Sequence, residues 1–319
     1  MSGAADGNFF GDMSVITTSV MTETVRDLGV RPSGYVLPSA AHIGRVHLQV
    51  SELAASLAFY TRVLGFRVHS QHDGTAALGP QHGAPLVVLH ERRGARPVPR
   101  RGRIGLYHFA ILLPDRAALG RFVAHIADAG VSVGSADHLV SEALYLSDPD
   151  GLGIEVYADR PRSAWKTNGR EIAMATEPLD LRALIRAADG QRWDGLPTGT
   201  TVGHVHFHVQ TLEAAQAFYH RALGFDIVVW SYPGALFFSA GGYHHHVGTN
   251  TWAGKAPLDG PDDARLLEWE LVLPTKDDIA ATVENVRAAG YDVRPDGDAH
   301  LITDSSGITV RLTNEKENS

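Results

Sequence analysis

Histidine is crowded into two short stretches of this 319-residue chain. The stretch 203 GHVHFHV 209 carries His204, His206 and His208 at alternating positions, and 240 AGGYHHHVGTNTW 252 carries His244, His245 and His246 in succession. No cysteine is present, so thiolate ligands, disulfides and cysteine nucleophiles are excluded, and any bound metal must sit on nitrogen and oxygen. In a strand, alternate residues share a face and each residue rises about 3.3 Å, so His206 and His208 stand successively about 7 Å further along than His204. A His-x-His pair on a strand, with a third ligand elsewhere, is one way to hold zinc. A carboxylate joins the candidates: Glu155 lies inside the apolar run 152 LGIEVY 157, where a charge needs a partner.

Composition bounds the rest. With 44% hydrophobic residues and 33 glycines the chain can bury a sizeable core, and its length suits two ordinary domains or one large one. The formal charge of −8 comes without a long basic block, which argues against a nucleic-acid partner and for a small-molecule site. The run 93 RGARPVPRRGR 103 reads as a solvated basic loop between repeats, placed where it could attract an anion. No signal peptide or 18-residue apolar run is visible, so the expectation is a cytoplasmic protein with no membrane partner; a homo-oligomer is allowed.

The elements that must position these side chains are written as repeats. The segment 45 RVHLQVSELAASLAFYTRVLGFRV 68 recurs as 204 HVHFHVQTLEAAQAFYHRALGFDI 227, and 107 YHFAILLPDRAALGRFVAHIADAGVSV 133 recurs more loosely as 267 LEWELVLPTKDDIAATVENVRAAGYDV 293. Each copy reads as strand, helix and three further strands, with Gly130 and Gly290 at helix ends where a left-handed residue is expected. The Phe-Tyr pairs of the first two copies read as helix packing. One such unit exposes an apolar sheet face and must pair with another. Residues 1–41 lie before the repeats as a flexible extension. Modules one and two span 42–158, a connection with a helix over 179–188 spans 159–200, and modules three and four span 201–315.

This α+β pattern of four βαβββ modules resembles the vicinal oxygen chelate superfamily, in which two modules curl into a half-open barrel around a metal. The stretches 106 LYHFAILLPDRAALG 120, 141 SEALYLSDPDGLGIEVYADRPRSAW 165, 203 GHVHFHV 209 and 240 AGGYHHHVGTNTW 252 are similar to the CatE-type catechol 2,3-dioxygenases, which open catechol rings beside the diol. The resemblance covers residues 42–315. It implies Fe(II) held by two histidines and one carboxylate, leaving open positions for a catechol and O2; Mn(II) would suit the same ligands.

In that superfamily the ligands stand on the first and last strands of a module. The matching first-strand positions are Arg45, His108, His204 and Glu268, and the last strands offer Glu155 in module two and Arg311 in module four. Modules one and two together put a cation, Arg45, where a ligand belongs, and modules three and four oppose Glu268 with Arg311. Only modules two and three assemble a full set, His108, Glu155 and His204. The expectation is therefore crossed pairing, two with three and one with four, giving two half-open barrels.

The resemblance also implies the groups around the metal. A histidine pair at the place of residues 244 and 245 supplies acid–base chemistry in such enzymes, which favours His245. Strand alternation sets His244 and His246 on the other face, and a register error of one would move the role to His246. Tyr145, ten residues before Glu155, takes the place of a tyrosine that hydrogen-bonds substrate oxygen, and His138 is the next catalytic candidate. Asn250, Trp252, His206 and His244 are weaker candidates for the substrate pocket, with packing the simpler reading for His206 and His208. The competing functions are a glyoxalase-like metal-dependent isomerase, which usually wants a further glutamate, and a non-catalytic binding or resistance protein of the same fold.

Overall fold

The computed structural model of the chain describes residues 28–314. Module one comprises β1 (His42–Val50), α1 (Leu53–Arg62), β2 (Arg67–His72), β3 (Thr75–Gly79) and β4 (Val87–Glu91). Module two follows with β5 (Gly105–Leu112), α2 (Arg116–Asp128), β6 (Gly134–Asp137), β7 (Ser141–Ser147) and β8 (Gly153–Asp159). The connection holds a small hairpin of β9 (Thr167–Asn168) and β10 (Glu171–Ile172), then α3 (Leu181–Ala187), shorter than the 179–188 expected. Module three is β11 (Thr201–His208), α4 (Leu212–Ala215, continued as a π-helical stretch over Gln216–Ala222), β12 (Asp226–Val229), β13 (Ala235–Ser239) and β14 (Val247–Asn250). Module four is β15 (Arg265–Leu273), α5 (Lys276–Ala288), β16 (Val293–Asp296), β17 (Ala299–Thr303) and β18 (Thr309–Asn314). Among these elements no helix is long and apolar enough to cross a membrane.

The strands form two eight-stranded sheets, ordered β12-β13-β14-β11-β5-β8-β7-β6 and β16-β17-β18-β15-β1-β4-β3-β2. The first joins modules three and two through antiparallel β11 and β5; the second joins modules four and one through antiparallel β15 and β1. Pairing is crossed, as the ligand inventory required. Period-two alternation does the sorting. Val205, Phe207 and Val209 point into a core shared with Val46, Leu48, Phe109 and Trp269, while the histidines between them take the concave face of their sheet. Helix starts are fixed by side chains that accept orphan N–H groups: Asp115 from Ala118, Thr211 from Ala214, and Thr275 with Asp278 in a capping box.

In the barrel of modules one and four, guanidinium groups stand where ligands would be. Arg45 Nε donates to both oxygens of the fully buried Glu270 at 2.9 and 3.0 Å, and Arg311 Nε donates to Glu268 at 2.6 Å. Burial alone would raise the Glu270 carboxyl, but His47 and Arg45 hold it down at about 2. The carboxylates are thus neutralised by the protein's own cations, and that barrel is an ion-pair network.

Sequential modules are joined differently. The tyrosine of each Phe-Tyr pair, Tyr60 or Tyr219, is fully buried and donates its hydroxyl to an aspartate turn in the next module, Asp148 at 3.4 Å and Asp304 at 3.1 Å. Burial pushes the Asp148 carboxyl up to about 7 from 3.8, against the backbone N–H of Leu152, which lowers it. Because the folded value is raised, the stability this group contributes is full below about pH 4 and is lost as pH rises through 7. Asp148→Asn does not titrate, so its melting temperature relative to wild type should rise between pH 4.5 and about 7 and level off above that. Parallel melting curves across that range would remove the assignment.

Residues 28–41, grouped above with the flexible extension, are tied down. Val30 bridges to Ile227, Leu37 N–H donates to the Gly224 carbonyl, Tyr35 hydroxyl bonds Thr282, and Leu37 and Ala41 are buried. These apolar side chains cover the module-three helix exit, which is why the backbone follows them. Residues 1–27 lie outside the described residues.

Candidate metal centre and substrate cavity

Three adjacent strands build the centre. Across the sheet, Tyr145 of β7 pairs with Glu155 of β8, Glu155 with Ala110 of β5, and Ala110 with His204 of β11. Glu155 and His204 therefore flank a methyl group, and His108, two residues before Ala110, reaches in along the same face. Among the described residues these form the one group of three potential ligands whose donor atoms all lie within 4.8 Å of one another.

The spacing fits an ion. Glu155 Oε2 stands 3.0 Å from His108 Nε2 and 3.1 Å from His204 Nε2. Bonds of about 2.1 Å meeting at right angles put ligand atoms about 3 Å apart, which is the separation of Glu155 from each histidine, and all three donor atoms lie within 4.8 Å of one another. All three side chains are buried, and His108 Nε2, although 3.0 Å from Glu155 Oε2, makes no hydrogen bond of good geometry to it. An unsatisfied buried nitrogen is costly unless something outside the chain occupies that point. Charge also suits a cation. Burial would raise the Glu155 carboxyl, but His204 and His108 hold it well below the usual range, and burial lowers His204 to about 4, leaving a bare imidazole at neutral pH.

A second chain of polar groups ends beside this centre. His244 Nε2 lies 2.8 Å from Asp159 Oδ1, and its Nδ1 lies 2.8 Å from His245 Nδ1. A carboxylate only accepts, so His244 carries its proton on Nε2, and its bare Nδ1 accepts from His245 Nδ1–H. His245 is left with a lone pair on Nε2, on a ring that lines the cavity 4.1 Å from the His204 ring centroid. Burial, with the histidines around it, keeps His245 well below the usual histidine value and hence neutral.

Opposite stands a second pair. His138 Nδ1 donates to the Ala175 carbonyl at 2.7 Å, and its Nε2 accepts from the Tyr145 hydroxyl at 2.6 Å. Burial and the Glu155 charge push the Tyr145 phenol well up, so it stays protonated and offers its oxygen lone pairs to the cavity.

Several expected positions are corrected. The triplet 244–246 is not on the last strand of module three; it occupies the turn before β14, so strand alternation does not govern it. His246 turns outward, its Nδ1 accepting from the Ala240 N–H at 3.2 Å, and does not line the cavity. His244 and Asn250 stand behind the cavity wall. Asn250 Oδ1 accepts from His208 Nδ1 at 2.6 Å while its Nδ2 donates to His206 Nε2 at 3.0 Å, so it orients two histidines. His206, a weaker pocket candidate for which packing was the simpler reading, faces the cavity, and Gly248 is why: a Cβ there would come within 2.8 Å of its ring. Trp252 does line the cavity, with 47% of its surface exposed at the rim.

The cavity measures about 360 Å³, the size of a small-molecule site. Beside Trp252, the apolar wall residues Met174, Tyr232 and Phe237 were not foreseen, because they come from three separate segments with no shared motif. Asp159 was also missed, yet it carried a signal: alternation along β8 sets Glu155, Tyr157 and Asp159 on one face. Tyr157 in turn explains Gly203, where a Cβ would fall 1.9 Å from the Tyr157 hydroxyl oxygen.

Comparison with known proteins agrees with this architecture. The family model described as Glyoxalase/Bleomycin resistance protein/Dioxygenase superfamily matches residues 41–156 and 201–312. The chain is 44% identical over 267 residues to the catechol-2,3-dioxygenase of Bacillus subtilis (strain 168), covering 82% of this chain and 93% of that protein. In fold it is similar to a putative dioxygenase from Bacillus subtilis subsp. subtilis str. 168, with TM-score 0.61 and 14% identity over 88% of this chain and 86% of that one. It is also similar to glyoxalase I from Zea mays, with TM-score 0.52 and 16% identity over 87% of this chain and 94% of that one. Four βαβββ repeats, two sheets made by crossed pairing and a family match over both halves lead to one statement: the chain belongs to the glyoxalase/bleomycin resistance protein/dioxygenase superfamily, also called the vicinal oxygen chelate superfamily.

Proposed function

We propose that this protein is an Fe(II)-dependent extradiol dioxygenase that opens catechol or a substituted catechol with O2 to give a muconic semialdehyde-type product. The observation that carries the reading is the convergence of His108, Glu155 and His204, with donor atoms within 4.8 Å of one another, on the wall of a small aromatic cavity. The 44% identity to a catechol-2,3-dioxygenase supports the substrate class. Two neutral imidazoles and one carboxylate are the donor set expected for a ferrous ion that keeps open positions, and Mn(II) would suit it too. A metal held by His108, Glu155 and His204 would supply a site at which diol and O2 are activated together.

The chain's own residues supply the rest. His245, with its Nε2 lone pair toward the cavity and its other nitrogen anchored through His244 to Asp159, takes a proton from a substrate hydroxyl and returns it later. Tyr145, its hydroxyl committed to His138, accepts a hydrogen bond from the substrate and fixes the ring's orientation. Phe237, Tyr232 and Trp252 hold the ring face and exclude water. A glyoxalase-like isomerase is less well served, because module three's last strand, Val247–Asn250, has no carboxylate to add.

The test is anaerobic reconstitution with Fe(II), followed by catechol and O2. A yellow semialdehyde product is expected; protein shown to hold iron that converts none of several catechols would sink the proposal.

A further inference from the structure

A second cavity of about 540 Å³ lies directly against the first and shares Tyr107, His108, Tyr145 and Trp252 with it. Its outer wall is the loop between modules one and two, which carries six arginines over residues 92–103. Four of the six are neutralised: Arg92 by Asp262, Arg93 by Glu91, and Arg96 and Arg103 both by Asp263. The remaining two, Arg100 and Arg101, line the cavity, and among the described residues neither has a carboxylate partner.

The loop is seated against the site. Val98 N–H donates to the Asp150 carbonyl, Ile104 N–H to Pro257, and Gly102 N–H closes a turn on Pro99. Gly102 has φ of +72°, and a Cβ there would lie 3.4 Å from the His208 ring. The two guanidinium groups are thus delivered by a turn packed on the strand that also carries His204. In a protein of net charge −8, two exposed and unpaired cations at the open rim of this cavity make a local positive patch, which attracts anions there.

We infer that this second cavity receives a carboxylate carried on the ring substituent of the substrate, so that the enzyme is selective for acidic catechols over neutral ones of similar size. The inference rests on the dioxygenase reading for its substrate ring, and on Arg100 and Arg101 for its charge. A planar carboxylate matches the paired donors of a guanidinium, which a neutral alkyl group cannot use.

The experiment compares 3,4-dihydroxyphenylacetate with 4-ethylcatechol, in wild type and in the Arg100→Gln, Arg101→Gln double variant. Cleavage is followed by kcat/KM, and binding to the anaerobic Fe(II) protein by calorimetry. Wild type is expected to favour the acid by about tenfold in both readouts, as for a charge-assisted hydrogen bond at a solvent-exposed site. In the variant that ratio should collapse toward one, chiefly through KM, and the wild-type preference should weaken with added salt. A wild type that does not discriminate, or a variant that loses both catechols equally, overturns the inference while leaving the dioxygenase reading intact. Failure to cleave either catechol would strike the dioxygenase reading, and the calorimetric ratio would still decide the carboxylate site.

Discussion

His204→Ala and Glu155→Ala, loaded anaerobically with Fe(II) and desalted, should each retain less than about a tenth of the wild-type iron, since even partners one shell further out cost 10–100-fold in metal affinity. Ring cleavage should fall at least in proportion. His206→Ala should keep its iron. The contrast is built into neighbouring atoms: His204 Nε2 stands 3.1 Å from Glu155 in the triad, whereas His206 Nε2 already accepts a hydrogen bond from Asn250 at 3.0 Å. A zinc-type site built on His204-x-His206 would lose its ion in both variants, so the pair of measurements separates the two arrangements. Full iron content in folded His204→Ala would show that the ion sits elsewhere, and with it the argument from crossed pairing to site would fail.

The second large effect is expected at His245. Replacement by Ala or Asn should lower kcat by about 10²–10⁴, the usual span for a lost acid–base group, with iron retained and KM little changed. Iron must be measured in the same preparations, because the His245 ring packs 4.1 Å from His204 and its loss could loosen that ligand. His246→Ala is the discriminating control. Its ring bonds the Ser239–Ala240 backbone side of the turn, so turnover should stay within a few-fold of wild type. If turnover collapsed in His246→Ala and survived in His245→Ala, the proton-transfer role would belong to the other histidine.

The sequence was most informative where one element repeats another. Aligning 45 RVHLQV 50 with 204 HVHFHV 209 put Arg45 at the ligand position of module one, and Arg311 stood at the place of Glu155 in module four. Charge type at those positions then spoke against sequential pairing of one with two and three with four, and the sheets are built from modules two with three and one with four. Which residues share a face is a local consequence of period-two alternation and module register, so it can be read without coordinates.

The histidine triplet shows where that logic stops. Residues 244–246 sit in a turn, where backbone direction changes at every residue, so no alternation rule says which ring faces inward. Asp159 decides it by fixing His244 from another module, 85 residues away. The same holds for His138, whose ring is set by a carbonyl at Ala175 in the connecting segment, and for Asn250, drawn behind the wall by two histidines.

By itself, then, the sequence determined the number of modules, their pairing and the three residues able to form a ligand set, because each depends on residue type at a repeated position. Only the tertiary structure decided which polar groups surround that set, which aromatic side chains close the cavity, and which two arginines of six are left unpaired beside it. Those depend on contacts between segments distant in the chain, and no period in the sequence records them.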